Sequence, residues 1–219
     1  MRSSLTLALD AAVSVGTVAL FRDGMLAAEG AVPMRGQPEE RLMPAVHEAL
    51  RAAGATPADI DEVVCGAGPG SFTSLRIAAA IAKGIAAARG CPLRAVGSLP
   101  LLAAGALRPL PPGRYLAAID AMRGECFAAQ LTVDEHGLVT QESPARIVAR
   151  PELDHLAAAA GARTLGRGLA VEGAPHARGT LRVRDRPAVA LDAWEPDYGR
   201  LAEAQVRWEA THGRPLSPR

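Results

Sequence analysis

Aromatic residues are scarce in this chain, 3% of 219 residues, which removes the stacking platforms on which single-stranded nucleic acids are commonly held. Charge of one sign is lacking as well. The 24 basic and 23 acidic residues leave a formal +1, with no electrostatic footprint for holding a polyphosphate backbone unaided. Cysteine is confined to Cys65, Cys91 and Cys126. They are odd in number and far apart, so neither a disulfide framework nor a CxxC metal site is supported, and a reducing cytoplasm is the expected compartment. The opening apolar run, Leu5-Thr6-Leu7-Ala8-Leu9, stops at Asp10, too short for a secretory segment or a membrane span, so no membrane association is expected. What the chain has in quantity is apolar mass: 49% hydrophobic residues suffice for one large core or two small ones.

The apolar residues are arranged to make an α/β fold. Strands are expected over 4–10, 13–21 and 25–32, with Arg22-Asp23-Gly24 as the hairpin turn between the second and third. Pro38 at a first turn, then Leu42, Val46, Ala49, Leu50 and Ala53 at helical spacing, predict an amphipathic helix ending at Gly54. Thr56-Pro57-Ala58-Asp59 reads as a capping box. A strand over 62–66 then runs into Gly66-Ala67-Gly68-Pro69-Gly70-Ser71-Phe72-Thr73, and an alanine-rich helix over 72–89 closes at Gly90. A glycine loop at a helix N-terminus presents backbone N–H groups to an anion. Gly68, Pro69, Gly70, Ser71 and Thr73 are therefore a candidate phosphate loop, although a tight strand-to-helix turn would have the same composition.

The first ninety residues thus run β-β-β-α-β-α, and the order begins again after a Pro-rich connection at 108–114. Strands are expected over 115–120, 125–133 and onward to about 148, with Asp134-Glu135-His136-Gly137 as a turn. Leu7-Ala8-Leu9-Asp10 is matched by Ala117-Ala118-Ile119-Asp120, both ending in aspartate. Two such halves with mixed sheets, 1–107 and a degenerate 108–219 whose C-terminal helix, expected over 193–208, packs back on the first half, resemble the actin-like ATPase (ASKHA) architecture. In it the aspartate closing each half's first strand handles metal or phosphate in a cleft between the halves. That likeness makes Asp10 and Asp120 candidate cleft residues.

The hexapeptide Gly68-Pro69-Gly70-Ser71-Phe72-Thr73, the segment from Glu40 to Val46, Ile119-Asp120-Ala121-Met122-Arg123-Gly124-Glu125, and Glu195-Pro196-Asp197-Tyr198-Gly199-Arg200 with Ala202-Glu203-Ala204 together resemble the TsaB (YeaZ) family. The likeness runs to about Trp208. It implies a non-catalytic subunit of the bacterial machinery that makes N6-threonylcarbamoyladenosine (t6A) in tRNA. Such a subunit pairs with a TsaD-type catalytic subunit through N-terminal helices and is joined by a TsaE-type ATPase. Some members also form a homodimer through the same surface. The resemblance implies tRNA contact only through the complex and no required cofactor, with ATP or ADP bound by the complex rather than by this chain alone. The sequence departs from the family pattern at Ser74 and Ala78, where glycines are usual, at Ala11-Ala12, where hydroxyl residues are usual, and at Pro38, where many members keep a histidine.

Rival chemistries fit the residues less well. His47, His136, His155, His176 and His212 never stand at i and i+4, so no metal is expected. Ser71 follows Gly70 directly, the wrong spacing for a nucleophile elbow, which argues against peptidase activity. A residual nucleotide-hydrolysing protein using Asp10, Asp120 and the glycine loop is the alternative. Lacking hydroxyls after Asp10, it would be short of donors for phosphate or water. The helix over 72–89 is apolar nearly all round, which means burial on more than one side, against its own sheet or another chain. Leu42, Met43, Val46, Leu50, Leu75, Arg76 and Ala79 are the expected partner interface, with a buried core as the competing reading.

Overall fold

The computed structural model describes residues 3–36 and 39–200, together with Thr211 and Gly213. Strands β1 (Leu5–Asp10), β2 (Val15–Arg22) and β3 (Met25–Pro33) form the expected antiparallel meander. Asp23 and Gly24 turn β2 into β3 with positive φ. Helix α1 (Leu42–Ala52) starts later than the proline signal suggests, because the Glu40 carboxylate accepts the N–H groups of Leu42 and Met43 and so supplies the cap. Pro38 lies outside the described residues. The capping box forms as read, the Thr56 N–H donating to the Asp59 carboxylate at 2.8 Å.

Strand β4 (Glu62–Gly66) inserts parallel to β1, and the glycine loop leads into α2 (Phe72–Arg89), which stops at Gly90 in the left-handed conformation. Two elements follow that the hydrophobic pattern does not reveal, β5 (Leu93–Val96), parallel to β4, and α3 (Ser98–Ala104). All seven residues of α3 are buried. A helix enclosed on every side has no polar face and therefore no helical period to read.

The second half is built on β6 (Gly113–Met122) and β7 (Glu125–Val133), an antiparallel pair. The single third strand expected to run to 148 is instead two, β8 (Val139–Gln141) and β9 (Arg146–Ala149), both paired with β7. Pro144, with no N–H for the ladder, falls in the break. Helix α4 (Leu153–Ala159) then leads to β10 (Arg163–Leu165), parallel to β6. A 3-10 segment, Ala177–Arg182, and β11 (Ala188–Val189) bring the chain back to the edge of the first sheet beside β5.

The sheets run β11-β5-β4-β1-β2-β3 and β10-β6-β7-β8. Each has a central strand with an antiparallel neighbour that follows it and a parallel neighbour reached through a helix, so the duplication in the sequence is a duplication of topology. This is the actin-like fold. One core unites the halves, because Ala8, Val64 and Leu75 belong to the same buried cluster as α3, Tyr115, Ile119 and Leu131. A second cluster lies under α1 and α2. Residues 193–200 are not helical, contrary to the helix expected over 193–208, whose remainder, 201–208, lies outside the described residues.

Candidate functional site

A cleft of about 1760 Å³ opens between the halves. Its N-terminal wall is the turn after β1 (Ala12 to Val15) and the start of α2 with Gly70, Ser71 and Thr73. Its C-terminal wall carries Asp120 and the β6–β7 hairpin, backed by Arg150, Arg167 and Glu172.

The two aspartates end equivalent strands, and each caps its own turn: Asp10 accepts the Ala12 N–H at 3.1 Å and Asp120 the Met122 N–H at 2.9 Å. There the likeness stops. Asp120 is exposed to the cleft, whereas Asp10 is wholly buried and does not line it. Ser98, at the start of α3, donates its hydroxyl to Asp10 Oδ2 at 2.6 Å and accepts the Gly68 N–H at 3.1 Å. The absence of a side chain at Gly66 makes room for that carboxylate, since a Cβ would fall on Asp10 Oδ2. Burial pushes the Asp10 carboxyl up from its usual range, with the Ser98 and Ala12 hydrogen bonds pulling the other way. Asp10 is therefore corrected from cleft ligand to internal tie. Ser98 is the partner that sequence reading missed; its position at the start of a helix with no visible period gave little to find it by.

The candidate phosphate loop is partly tied up in the same way. Three of its N–H groups are engaged inside the chain, Ala67 with the Val96 carbonyl, Gly68 with Ser98 Oγ, and Ser71 with the Ala12 carbonyl at 2.7 Å. Gly70 lets the loop close on the β1 turn, because a Cβ would overlap the Ala12 carbonyl. Gly68, at φ +87°, leaves room in the same manner for the backbone carbonyl of Asp197. Pro69 is buried. Gly70, Ser71 and Thr73 do face the cleft, but Ser71 Oγ is 3.0 Å from Ser74 Oγ. The departure to Ser74 thus supplies a local hydroxyl pair, and Ala78 packs in the core.

The expected interface residues divide. Leu42, Val46, Leu50, Leu75 and Ala79 are buried in the chain's own core, so the competing core reading holds for them. Met43 and Arg76 are exposed, with His47 on α1 and Ala80 and Gly84 on α2. The helical period located the apolar stripe correctly; the stripe faces inward because the sheet beneath needs cover.

Among the described residues, no group of histidine, cysteine and carboxylate side chains is placed to hold a metal ion, and no helix is long and apolar enough to cross a membrane. Cys65 is buried beside Asp10, and desolvation drives its thiol far up, away from thiolate chemistry. His176, half-buried next to Arg178, is held down to about 4, chiefly by burial.

Comparison with known proteins agrees with this topology. Residues 28–180 match the family model described as TsaD, tRNA N6-adenosine threonylcarbamoyltransferase. The chain is 38% identical to an Escherichia coli protein described as "tRNA threonylcarbamoyladenosine biosynthesis protein TsaB", over 68% of this chain and a little under two thirds (64%) of that one. A Bacillus subtilis protein of the same description is 28% identical over 92% of this chain and 96% of its own length. A Pseudomonas aeruginosa crystal structure described as similar to peptidase YeaZ superposes with a TM-score of 0.75 at 28% identity, covering 90% of this chain and 100% of that one. The chain belongs to the TsaD family, in its TsaB (YeaZ) branch.

Proposed function

We propose that this chain is a non-catalytic subunit in the synthesis of t6A on tRNA, acting by binding and organising a TsaD-type catalytic subunit, with a TsaE-type ATPase joining the assembly. The observation that carries the reading is the internal engagement of the groups a nucleotide-hydrolysing relative would present. Asp10 is tied to Ser98 and Ala12, and the N–H groups of Ala67, Gly68 and Ser71 are tied to Val96, Ser98 and Ala12. A donor already bonded inside the protein has no lone capacity for a developing phosphate charge. In this reading any ATP or ADP belongs to the complex, tRNA is met only through the complex, and the chain works in the cytoplasm.

The docking surface in this proposal is the exposed side of α1 and α2, with Met43 and Arg76 from the expected set and Ala80 and Gly84 beside them. Small residues there let a partner helix approach closely. A homodimer through the same face would compete with the hetero-complex.

Light-scattering chromatography of the chain alone and mixed with the TsaD-type protein of its genome tests this. A hetero-complex is expected, and Ala80→Glu should abolish it without altering the circular dichroism of the free chain. No complex with the wild type, or turnover of ATP by the isolated chain that is lost in Asp120→Asn, would replace this reading with the nucleotide-hydrolysing one.

A further inference from the structure

The segment after β11 crosses from one half to the other over the rim of the cleft, and six of the seven residues from 194 to 200 have a partner in the body of the chain. Trp194 lies under the Lys83 ammonium of α2, 5.8 Å from the ring centroid, and Glu195 pairs with the same lysine at 3.7 Å. The Asp197 N–H donates to the Ala67 carbonyl at 2.8 Å, beside the space left by Gly68. The Tyr198 ring meets Phe72 with centroids 4.4 Å apart, and the Arg76 guanidinium covers the same phenyl ring at 5.4 Å. Gly199, at φ +68°, passes against the Phe127 ring so closely that a Cβ would collide with it. Arg200 then pairs with Glu125 and lies 6.0 Å over Phe127, both on β7 of the other half.

We propose that residues 194–200 are a strap that sets the opening of the cleft rim, bolting α2 and the glycine loop to β7. The geometry supports this division of labour. The base of the cleft is held by the core that the halves share, whereas at the rim Tyr198, Gly199 and Arg200 line the cleft between the glycine loop and the β6–β7 hairpin. The strap's own structure is of a kind that can lift. It has no helix or strand over 194–200 and is held by side-chain pairs, the Asp197–Ala67 backbone hydrogen bond and a turn bond from Trp194 to Ala190 rather than by a ladder. Elements held in this way open at lower free energy than core strands. Two glycines, Gly68 beneath it and Gly199 within it, are required by its close passage. A strap seated at both ends makes each end's contacts depend on the other's, because releasing either one returns conformational freedom to the whole segment.

Hydrogen exchange followed by mass spectrometry on the full chain tests the coupling, and it needs no partner protein. Phe72→Ala alters the α2 end and Arg200→Gln the β7 end; neither removes a fully buried side chain, and circular dichroism checks the fold of both. Each variant is expected to raise exchange by about tenfold at both ends, in the glycine loop at 67–71 and in the hairpin at 120–125, while β1 and β2 stay protected. Gly68→Ala, which places a side chain under the strap, should give the same double footprint. Exchange that rises only at the mutated end, or only within 194–200, would show the segment to be a passive extension and overturn the proposal. Failure of the TsaD-type protein to bind would leave this result untouched and bear on the proposed function alone.

Discussion

The carboxyl of Asp10 is enclosed on every side; its hydrogen bonds from Ser98 and Ala12 join β1 to α3, and Ser98 in turn accepts the Gly68 N–H of the glycine loop. Asp10→Ala strands a buried hydroxyl and an N–H and should cost about 1–3 kcal/mol in urea unfolding. Asp10→Asn keeps both shape and polarity and should cost clearly less. Because burial raises the folded-state pKa of Asp10, the native chain binds the proton more tightly than the unfolded one above pH 3.8. Stability from this group is therefore present below that value and declines as pH rises through the folded pKa, so Asp10→Asn should gain on the wild type over that interval. His176 behaves with the opposite slope. Its pKa falls from 6.5 to about 4 on folding, so between those values the unfolded chain holds more protons and stability drops as pH is lowered from 6.5. The loss should be no more than about 1–2 kcal/mol for a half-exposed ring, and absent in His176→Asn, as measured by denaturant midpoints at pH 7 and pH 4.5.

Helix α2 illustrates how an element with an apolar circumference divides its faces. Leu75, Ala78, Ala82 and Ala86 are buried at helical spacing against β1 and β4, while Arg76, Ala80 and Gly84 remain outside. Leu75→Ala should destabilise the chain by about 2–5 kcal/mol through the cavity it leaves, a shift readable in the melting temperature. Leu75→Glu would bury a charge and unfold the chain, so it cannot serve as an interface probe; Ala80→Glu, on the exposed face, can. The position and length of α2 were legible from Phe72 to Gly90, as was β7, since their caps and turns are written in local residues. The direction of the apolar face was not, because a stripe covering a sheet and a stripe covering a partner have the same period. Helix α3 was illegible for the opposite reason: Leu99, Leu101 and Leu102 are all buried, so its sequence has no polar side.

At the scale of the whole molecule, the repeat of β1-β2-β4 in β6-β7-β10 makes two halves, but α3 and the segment Ala177–Arg182 pack between them. Leu101, Tyr115 and Ala177 share a single core. Calorimetry should therefore show one cooperative unfolding transition, with van't Hoff and calorimetric enthalpies equal, rather than one transition per half. The β11 strand, returning from the second half to edge the first sheet, points the same way. The cleft survives between halves so joined because the joining lies at its base and the strap at its rim.

The sequence by itself determined the β-β-β-α-β-α order of the first half and its restart in the second, the glycine loop at the start of α2, the pairing of Asp10 with Asp120 as repeat equivalents, and the family. These depend on local periodicity, turn residues and contiguous motifs, all of which are read within a few residues of one another. Only the tertiary structure decided that Asp10 is sealed away while Asp120 meets the cleft, that the Ala67, Gly68 and Ser71 N–H groups are occupied, and that Tyr198 and Arg200 span the halves. Each of these depends on which distant residue arrives alongside, Ser98 for Asp10, Ala12 for Ser71, Phe127 for Gly199. Burial and hydrogen-bond occupancy belong to such pairs, and no period or motif encodes them.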